Sequence, residues 1–208
     1  MTIHVVEHPL VDDVLAALRD ETTSPSRFRL LTKQITMLVA VQATRDLPVR
    51  RERVRTPLEE AEVRRLAADI VLVPILRAGL GMLDVMLQLL PNASVGHVGL
   101  QRDEETAVAR EYYRKLPPLQ ERIVLILDPM LATGGSARAA IGLLDEHGAK
   151  DVRLLSIVAA PEGVDLLARQ CPNVSIYTAA VDRGLNDQKF ILPGLGDFGD
   201  RLYGTQFG

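Results

Sequence analysis

Ile123-Val-Leu-Ile-Leu-Asp128-Pro129-Met130-Leu131-Ala132-Thr133-Gly134-Gly135-Ser136, running on into the helical pattern of Ala137 to His147, is the stretch on which the fold turns. Five apolar residues in succession suit a strand covered on both faces, because a strand with one wet face alternates instead. The strand ends in a carboxylate, and a loop with two glycines and small hydroxylated residues leads into the helix. That combination can cradle a phosphate. Glycines let backbone N–H groups converge, Thr133 and Ser136 add hydroxyl donors, and the helix start carries partial positive charge. An acid at the strand's C-terminal end suits ribose hydroxyls or a magnesium ion near that phosphate. On spacing alone, the same residues also fit a plain strand-to-helix turn capped by Ser136.

Similar apolar runs lie on either side, at Ile70 to Leu76, Val95 to Leu100, Val152 to Ala159 and Val174 to Ala180, with helical patterns between them. This alternation predicts an α/β fold with a mainly parallel sheet and right-handed crossovers. Leu80, Leu83, Leu87 and Leu90 form one expected helix stripe. Ile141 and Leu144 form another, ending at Gly148 as a C-terminal cap. Nearer the N-terminus, Ser26 to about Asp46 reads as a helix with Phe28, Leu31, Ile35 and Leu38 on one face. A second stripe, Leu30, Met37 and Val41, suits a subunit contact or deep burial equally. Arg50 to Arg55 reads as a solvated edge strand.

The chain of 208 residues is 47% hydrophobic and 25% charged, which excludes a disordered protein. A chain of this length can bury about 70% of its unfolded surface without disulfides or a structural metal. Its lone Cys171 builds neither. A net charge of −3 disfavours a polyanion as main partner, so no nucleic-acid partner is expected. No apolar run reaches the roughly 18 residues of a membrane span, and Met1 to Pro9 lacks signal-peptide character; a cytoplasmic protein without a membrane partner is the expectation. No internal repeat or linker divides the chain, so 1–208 is expected to form a single domain. His4, His8, His97 and His147 lack metal-ligand spacing and read as structural.

Three further segments carry chemistry. Arg77-Ala-Gly79-Leu-Gly81 follows a buried strand and opens a helix, offering a guanidinium fork beside free amides, a site fit for a diphosphate or for nothing more than a tight turn. It is no Gly-x-Gly-x-x-Gly motif, since Asp84 stands where the last glycine would be, and no Walker loop occurs anywhere. Arg102 sits just past a strand end, where α/β proteins place ligand contacts, followed by Asp103, Glu104 and Glu105. From position 181 onward lie six of the fifteen glycines and four of the eight aromatic residues, Phe190, Phe198, Tyr203 and Phe207. That mix describes a built loop whose irregular backbone can present N–H and C=O groups to a flat heterocycle.

Taken together, these segments resemble the uracil phosphoribosyltransferases, a family of the type I phosphoribosyltransferases that use 5-phosphoribosyl 1-diphosphate (PRPP). The Asp128-Pro129 pair that opens the loop, where most of that superfamily has two adjacent acids, is the form seen in this family. Glu7-His8-Pro9-Leu10 and Ala43-Thr-Arg-Asp46-Leu47 match it too, so the resemblance runs from about Val6 to the C-terminus. It implies a phosphoribosyltransferase-type fold with N-terminal helices, a mobile arm over Gly99 to Thr106 and Tyr112 to Pro117, and a C-terminal base-binding loop. The implied reaction is uracil plus PRPP giving UMP and diphosphate, in pyrimidine salvage, with Mg2+ bound alongside PRPP.

By the same resemblance, PRPP is contacted by Arg77, Arg102, Asp128, Pro129, Met130, Leu131, Ala132, Thr133, Gly134, Gly135, Ser136 and Asp197. Uracil is lined by Ile191, Gly196, Asp197 and Phe198, and the residues expected to act in catalysis are Arg77, Arg102, Asp128 and Asp197. Uracil's acceptor–donor–acceptor edge is one that backbone groups can match, and cytosine would leave polar groups unpaired. Many bacterial members have alanine at the Phe198 position. A homodimer or higher homo-oligomer is implied, and GTP activates part of the family. Two other classes share such a fold. An RNA-binding regulator would need a basic face, which the charge balance disfavours, and a non-catalytic sensor would bind PRPP without consuming it.

Overall fold

The computed structural model describes residues 2–102 and 109–205, with the side chains of 101, 102 and 109–111 outside that description. In chain order the elements are β1 (Thr2–Val5), α1 (Pro9–Arg19), α2 (Pro25–Ala43), β2 (Val49–Arg55), β3 (Glu60–Leu66), β4 (Ile70–Leu76) and α3 (Leu80–Leu89). Then come β5 (Ser94–Val95), β6 (His97–Arg102), β7 (Ala109–Lys115), β8 (Ile123–Leu127), β9 (Met130–Leu131), α4 (Gly135–Glu146) and β10 (Asp151–Ala159). The last are α5 (Pro161–Gln170), β11 (Ser175–Val181), β12 (Gly184–Leu185), β13 (Ile191–Leu192) and α6 (Phe198–Tyr203).

The main sheet runs in the order β1-β11-β10-β8-β4-β6-β7. All its pairings on that path are parallel except β6 with β7. Consecutive residues of each central strand enter opposite cores. Leu125 and Leu127 of β8 join Leu72 of β4 and Leu155 of β10 in a layer with α1, α2, α3 and α6. Val124 and Ile126 join Val71, Val73 and Leu154 beneath α4. This is why the strands are apolar without alternation, and each such fully buried side chain contributes about 1.5–3 kcal/mol.

Local signals set the helix starts. His8 caps α1, its Nδ1 accepting from the Leu10 N–H at 3.1 Å, and Ser24 caps α2; each is followed by a proline at the first helical position. The expected helix from Ser26 to Asp46 is therefore α2, ending at Ala43. Its face of Phe28, Leu31 and Ile35 is buried, Leu38 packs against that core in part, and Leu30, Met37 and Val41 are exposed.

Three details differ from the sequence reading. In α3 the buried face is Met82, Val85 and Met86, while Leu80 is exposed and Leu83 and Leu87 are half-buried, because α3 packs between β4 and α2 and its loop already buries Gly79. Arg50 to Arg55 belongs to a two-stranded ribbon, β2 with β3, rather than an edge of the main sheet, and most of its side chains are exposed. The strand β1 adds an edge beside β11 that its short, mixed sequence did not announce.

Candidate active site

The loops at the C-terminal ends of β4 and β8 meet because β8 pairs directly with β4. After β8, the chain is stitched to the neighbouring strand β10: Asp128 N–H donates to Leu155 O at 3.1 Å, and the Ser156 hydroxyl donates to Asp128 O at 2.7 Å. Ile157 N–H donates to Pro129 O, and Ala160 N–H to Leu131 O at 2.8 Å. The carboxyl of Asp128 is thus presented from a backbone that cannot swing. Packing around it pushes that carboxyl up to about 7, while a hydrogen bond from the Met130 backbone pulls the other way.

Gly134 caps α4 in the left-handed conformation, φ +79°, a role that Ser136 does not fill. The cap therefore comes from backbone alone, and the hydroxyl of Ser136 is not engaged as one. Gly135 N–H donates to Thr133 Oγ1 at 3.4 Å. A cleft of about 190 Å³ opens over this turn, lined by Asp128, Met130 to Ala137, Ile75 to Ala78 and Leu100. Pro129 is buried beneath, holding the turn on β10 rather than facing the cleft.

Arg77 is exposed at the end of β4, and its peptide bond with Leu76 is cis. Its carbonyl accepts from the Tyr203 hydroxyl at 3.4 Å. A second cleft, about 720 Å³, lies between this loop and the C-terminal segment, lined by Arg77, Tyr112, Lys189, Phe190, Ile191, Gly196, Asp197, Phe198 and Tyr203. The two clefts share Leu76, Arg77, Ala78, Leu100, Met130 and Ala132 and so form one continuous groove.

The C-terminal segment is built, as its aromatic content predicts. A short antiparallel pair, β12 with β13, leads into a turn at Pro193–Gly194, and Asp197 caps α6 by accepting from Asp200 N–H at 2.9 Å. Phe198 is buried against Phe28, ring edge to face, with centroids 5.2 Å apart. A phenylalanine there thus anchors the segment in the core while one part of it lines the groove.

All the sequence-predicted residues whose side chains are described, apart from the buried Pro129, line one or other part of this groove. Arg102 ends β6, which pairs with β4, but its side chain and residues 103–108 lie outside the described residues, as does Phe207. Leu100, Lys189 and Tyr203 also line the groove. They fall in segments the sequence singles out but have no role marked there, since their place depends on how β6 and the C-terminal segment fold back. Among the described residues no group of three or more His, Cys, Asp or Glu side chains comes together to hold a metal ion, and no helix is long and apolar enough to cross a membrane.

The whole chain is similar to several known proteins. The family model described as uracil phosphoribosyltransferase matches residues 5–205. A uracil phosphoribosyltransferase of Thermosipho africanus is 51% identical over 208 residues, covering 99% of this chain and 100% of the relative. A solved protein from Aquifex aeolicus superposes over the full length of both chains with a TM-score of 0.94 at 39% identity. A hypoxanthine-guanine phosphoribosyltransferase from Bacillus anthracis shares the fold, with a TM-score of 0.51 over 74% of this chain and 79% of its own at 9% identity. The groove at the β4 and β8 loops therefore sits in a phosphoribosyltransferase fold, and the chain belongs to the uracil phosphoribosyltransferase family, enzymes that join uracil and PRPP to give UMP and diphosphate.

Proposed function

We propose that the smaller cleft holds the ribose 5-phosphate end of PRPP, and that the larger one holds uracil on the C-terminal segment. The observation that supports this assignment is the continuity of the two clefts through Arg77 and Met130, with Arg77 lining both the cleft over the glycine turn and the one beside the C-terminal segment.

In this reading the backbone amides of Thr133 to Ser136 and the start of α4 bind the 5-phosphate. Asp128 faces the ribose hydroxyls. Reaction breaks the bond between the anomeric carbon and the diphosphate oxygen, forms one to the uracil nitrogen on the opposite face, and releases that nitrogen's proton to solvent. Arg77 and Arg102 offset the charge gathering on the departing diphosphate. Positive charge developing on the ribose favours the ionised form of Asp128, whose carboxyl burial otherwise holds near neutrality. Asp197, whose Oδ1 accepts from the Asp200 N–H in capping α6, lines the larger cleft beside the base. Ile191, Gly196 and Phe198 bound the base.

Magnesium, when bound with PRPP, supplies further neutralisation of the diphosphate. The described residues gather no three His, Cys, Asp or Glu side chains, so an ion beside Asp128 would take most of its ligands from PRPP and water, as magnesium commonly does with phosphates. The exposed stripe of Leu30, Met37 and Val41, together with the projecting β2–β3 ribbon, supports a homodimer or higher homo-oligomer built from single-domain subunits. A cytoplasmic location is consistent with a salvage reaction on soluble substrates.

The experiment is diphosphate release from PRPP and magnesium with uracil, cytosine, orotate or hypoxanthine in parallel. Release with uracil alone, accompanied by UMP, is expected; PRPP binding without release on any base would make the groove a sensor. Repeating the assay with GTP reads whether this chain shares the activation known in part of the family.

A further inference from the structure

The C-terminal turn that presents the base-facing residues is gripped from outside the groove by two charged side chains that no motif identifies. Asp182 follows the end of β11, and its side chain is 4% exposed. Arg19, the last residue of α1, meets it with a two-pronged fork: Nη2 donates to Oδ1 at 2.6 Å and Nη1 to Oδ2 at 2.9 Å. The same Nη1 donates to the Gly194 carbonyl at 2.9 Å, and Gly194 N–H donates to Asp182 Oδ2 at 2.9 Å. Both polar backbone groups of Gly194 are thereby held by one ion pair.

Gly194 has little latitude. Its φ is +62°, and a Cβ there would fall 2.1 Å from the carbonyl oxygen of Ile191. The turn thus sets the path from Ile191 to Gly196 and Asp197, and Ile191 and Leu195 on either side of it are buried. A neighbouring clamp acts on the same loop. Arg201 of α6 donates to the carbonyls of Leu18 and Asp20 at the end of α1 and to Leu195 O, while its guanidinium lies 4.5 Å above the Phe28 ring. The end of α1 is therefore tied to the loop at Gly194 and at Leu195.

We propose that Arg19 and Asp182 are positioning residues for base recognition: their ion pair fixes the Gly194 turn and so sets the backbone edge that selects uracil. The proposal rests on the reading that the Ile191–Phe198 loop receives the base. Neither side chain lines the groove, so their effect reaches the substrate only through the loop. A planar guanidinium is needed because it must span both carboxylate oxygens and a carbonyl at once, which an ammonium cannot do in that plane.

The test is steady-state kinetics of Arg19→Gln, Asp182→Asn, the double variant and Arg19→Lys, varying uracil and PRPP separately, with thermal melting on each. The double variant removes both charges together, and Arg19→Lys keeps a charge beside Asp182 where its loss unfolds the chain. The expected result is a KM for uracil raised about tenfold or more, a KM for PRPP within about threefold of the parent, and weaker preference for uracil over cytosine. Arg19→Lys should recover only part of the affinity. Folded variants with unchanged uracil KM, or with both KM values rising in step with a lower melting temperature, would overturn the proposal. Gly196→Ala, assayed alongside, separates the two failures. An unchanged uracil KM there overturns the base-loop reading itself, whereas a raised one beside silent Arg19 variants overturns only the brace.

Discussion

Gly79 approaches the end of β8 so closely that a Cβ on it would lie 2.3 Å from the carbonyl oxygen of Leu127. That carbonyl immediately precedes Asp128, so the Arg77 loop and the Asp128 loop are in contact through backbone, with no side chain between them. Gly79→Ala must push the strands apart, and neither backbone can yield as a flexible side chain would. The variant is expected to lose about 1–3 kcal/mol of stability and to bind PRPP more weakly. Urea unfolding and PRPP titration read the two effects separately.

Arg77 is exposed, and its carbonyl, not its guanidinium, meets Tyr203. Arg77→Ala should therefore fold normally and lose charge stabilisation of the departing diphosphate, lowering kcat/KM by about 3 kcal/mol in transition-state terms. A parent-like turnover rate and KM for PRPP would sink that role.

Adjacent glycines of the phosphate turn should fail in different ways. At Gly134 the backbone is left-handed, and a Cβ would come within 3.0 Å of Gly163 O, so Gly134→Val should damage the fold. At Gly135 the nearest atom to a Cβ is Thr133 Oγ1 at 3.6 Å, leaving room in the protein but placing the new side chain in the cleft. Gly135→Val is expected to keep its melting temperature and to lose PRPP affinity.

Asp128 carries a pH signature. Its carboxyl titrates at about 7 in the folded chain against 3.8 when unfolded, so the folded state holds the extra proton between those values. The stability this contributes is complete below about 4 and is lost as pH rises toward 7. Asp128→Asn should flatten that decline and be the more stable protein at pH 8. Thermal melting from pH 4 to 8 on both proteins measures the difference, and parallel profiles would refute the assignment.

Arg153, 6% exposed, reaches from β10 to the end of α2, donating to Ala43 O at 2.7 Å and to Asp46 and Asp151. The hydrogen bond from Arg153 holds the Asp46 carboxyl below its ordinary range. Arg153→Met strands the Ala43 carbonyl and should cost about 1–3 kcal/mol. Because a lowered carboxyl stabilises above its unfolded pKa and loses that contribution as pH falls, the variant's deficit should shrink in acid. Denaturant titrations at neutral and acid pH compare the two.

The strands at Ile70, Ile123 and Val152 were legible because a sheet buried on both faces imposes apolar residues one after another. The turn from Asp128 into α4 was legible because its glycines and hydroxyls are consecutive. The face of α3 was legible only in part, since Asp84 and Gln88 mark a wet side but Leu80, Leu83 and Leu87 look as apolar as Met82 and Met86, and only the packing against α2 and β4 chooses among them. Ser136's freedom from capping was not legible, because Gly134 adopts the capping conformation that a serine pattern cannot reveal.

Arg19 and Asp182 mark the limit more sharply. They stand 163 residues apart, and each alone looks like a surface charge. Short-range pattern, set by local backbone preference and by which residues prefer water, determined the α/β class, the glycine turn from Asp128 to Ser136 and the family. The order β10-β8-β4, which sets the Asp128 loop beside Arg77, and the ion pair that closes on Gly194 depend on contacts between distant segments. Those contacts form only when burial of the whole sheet brings the segments together, so the tertiary structure alone decided them.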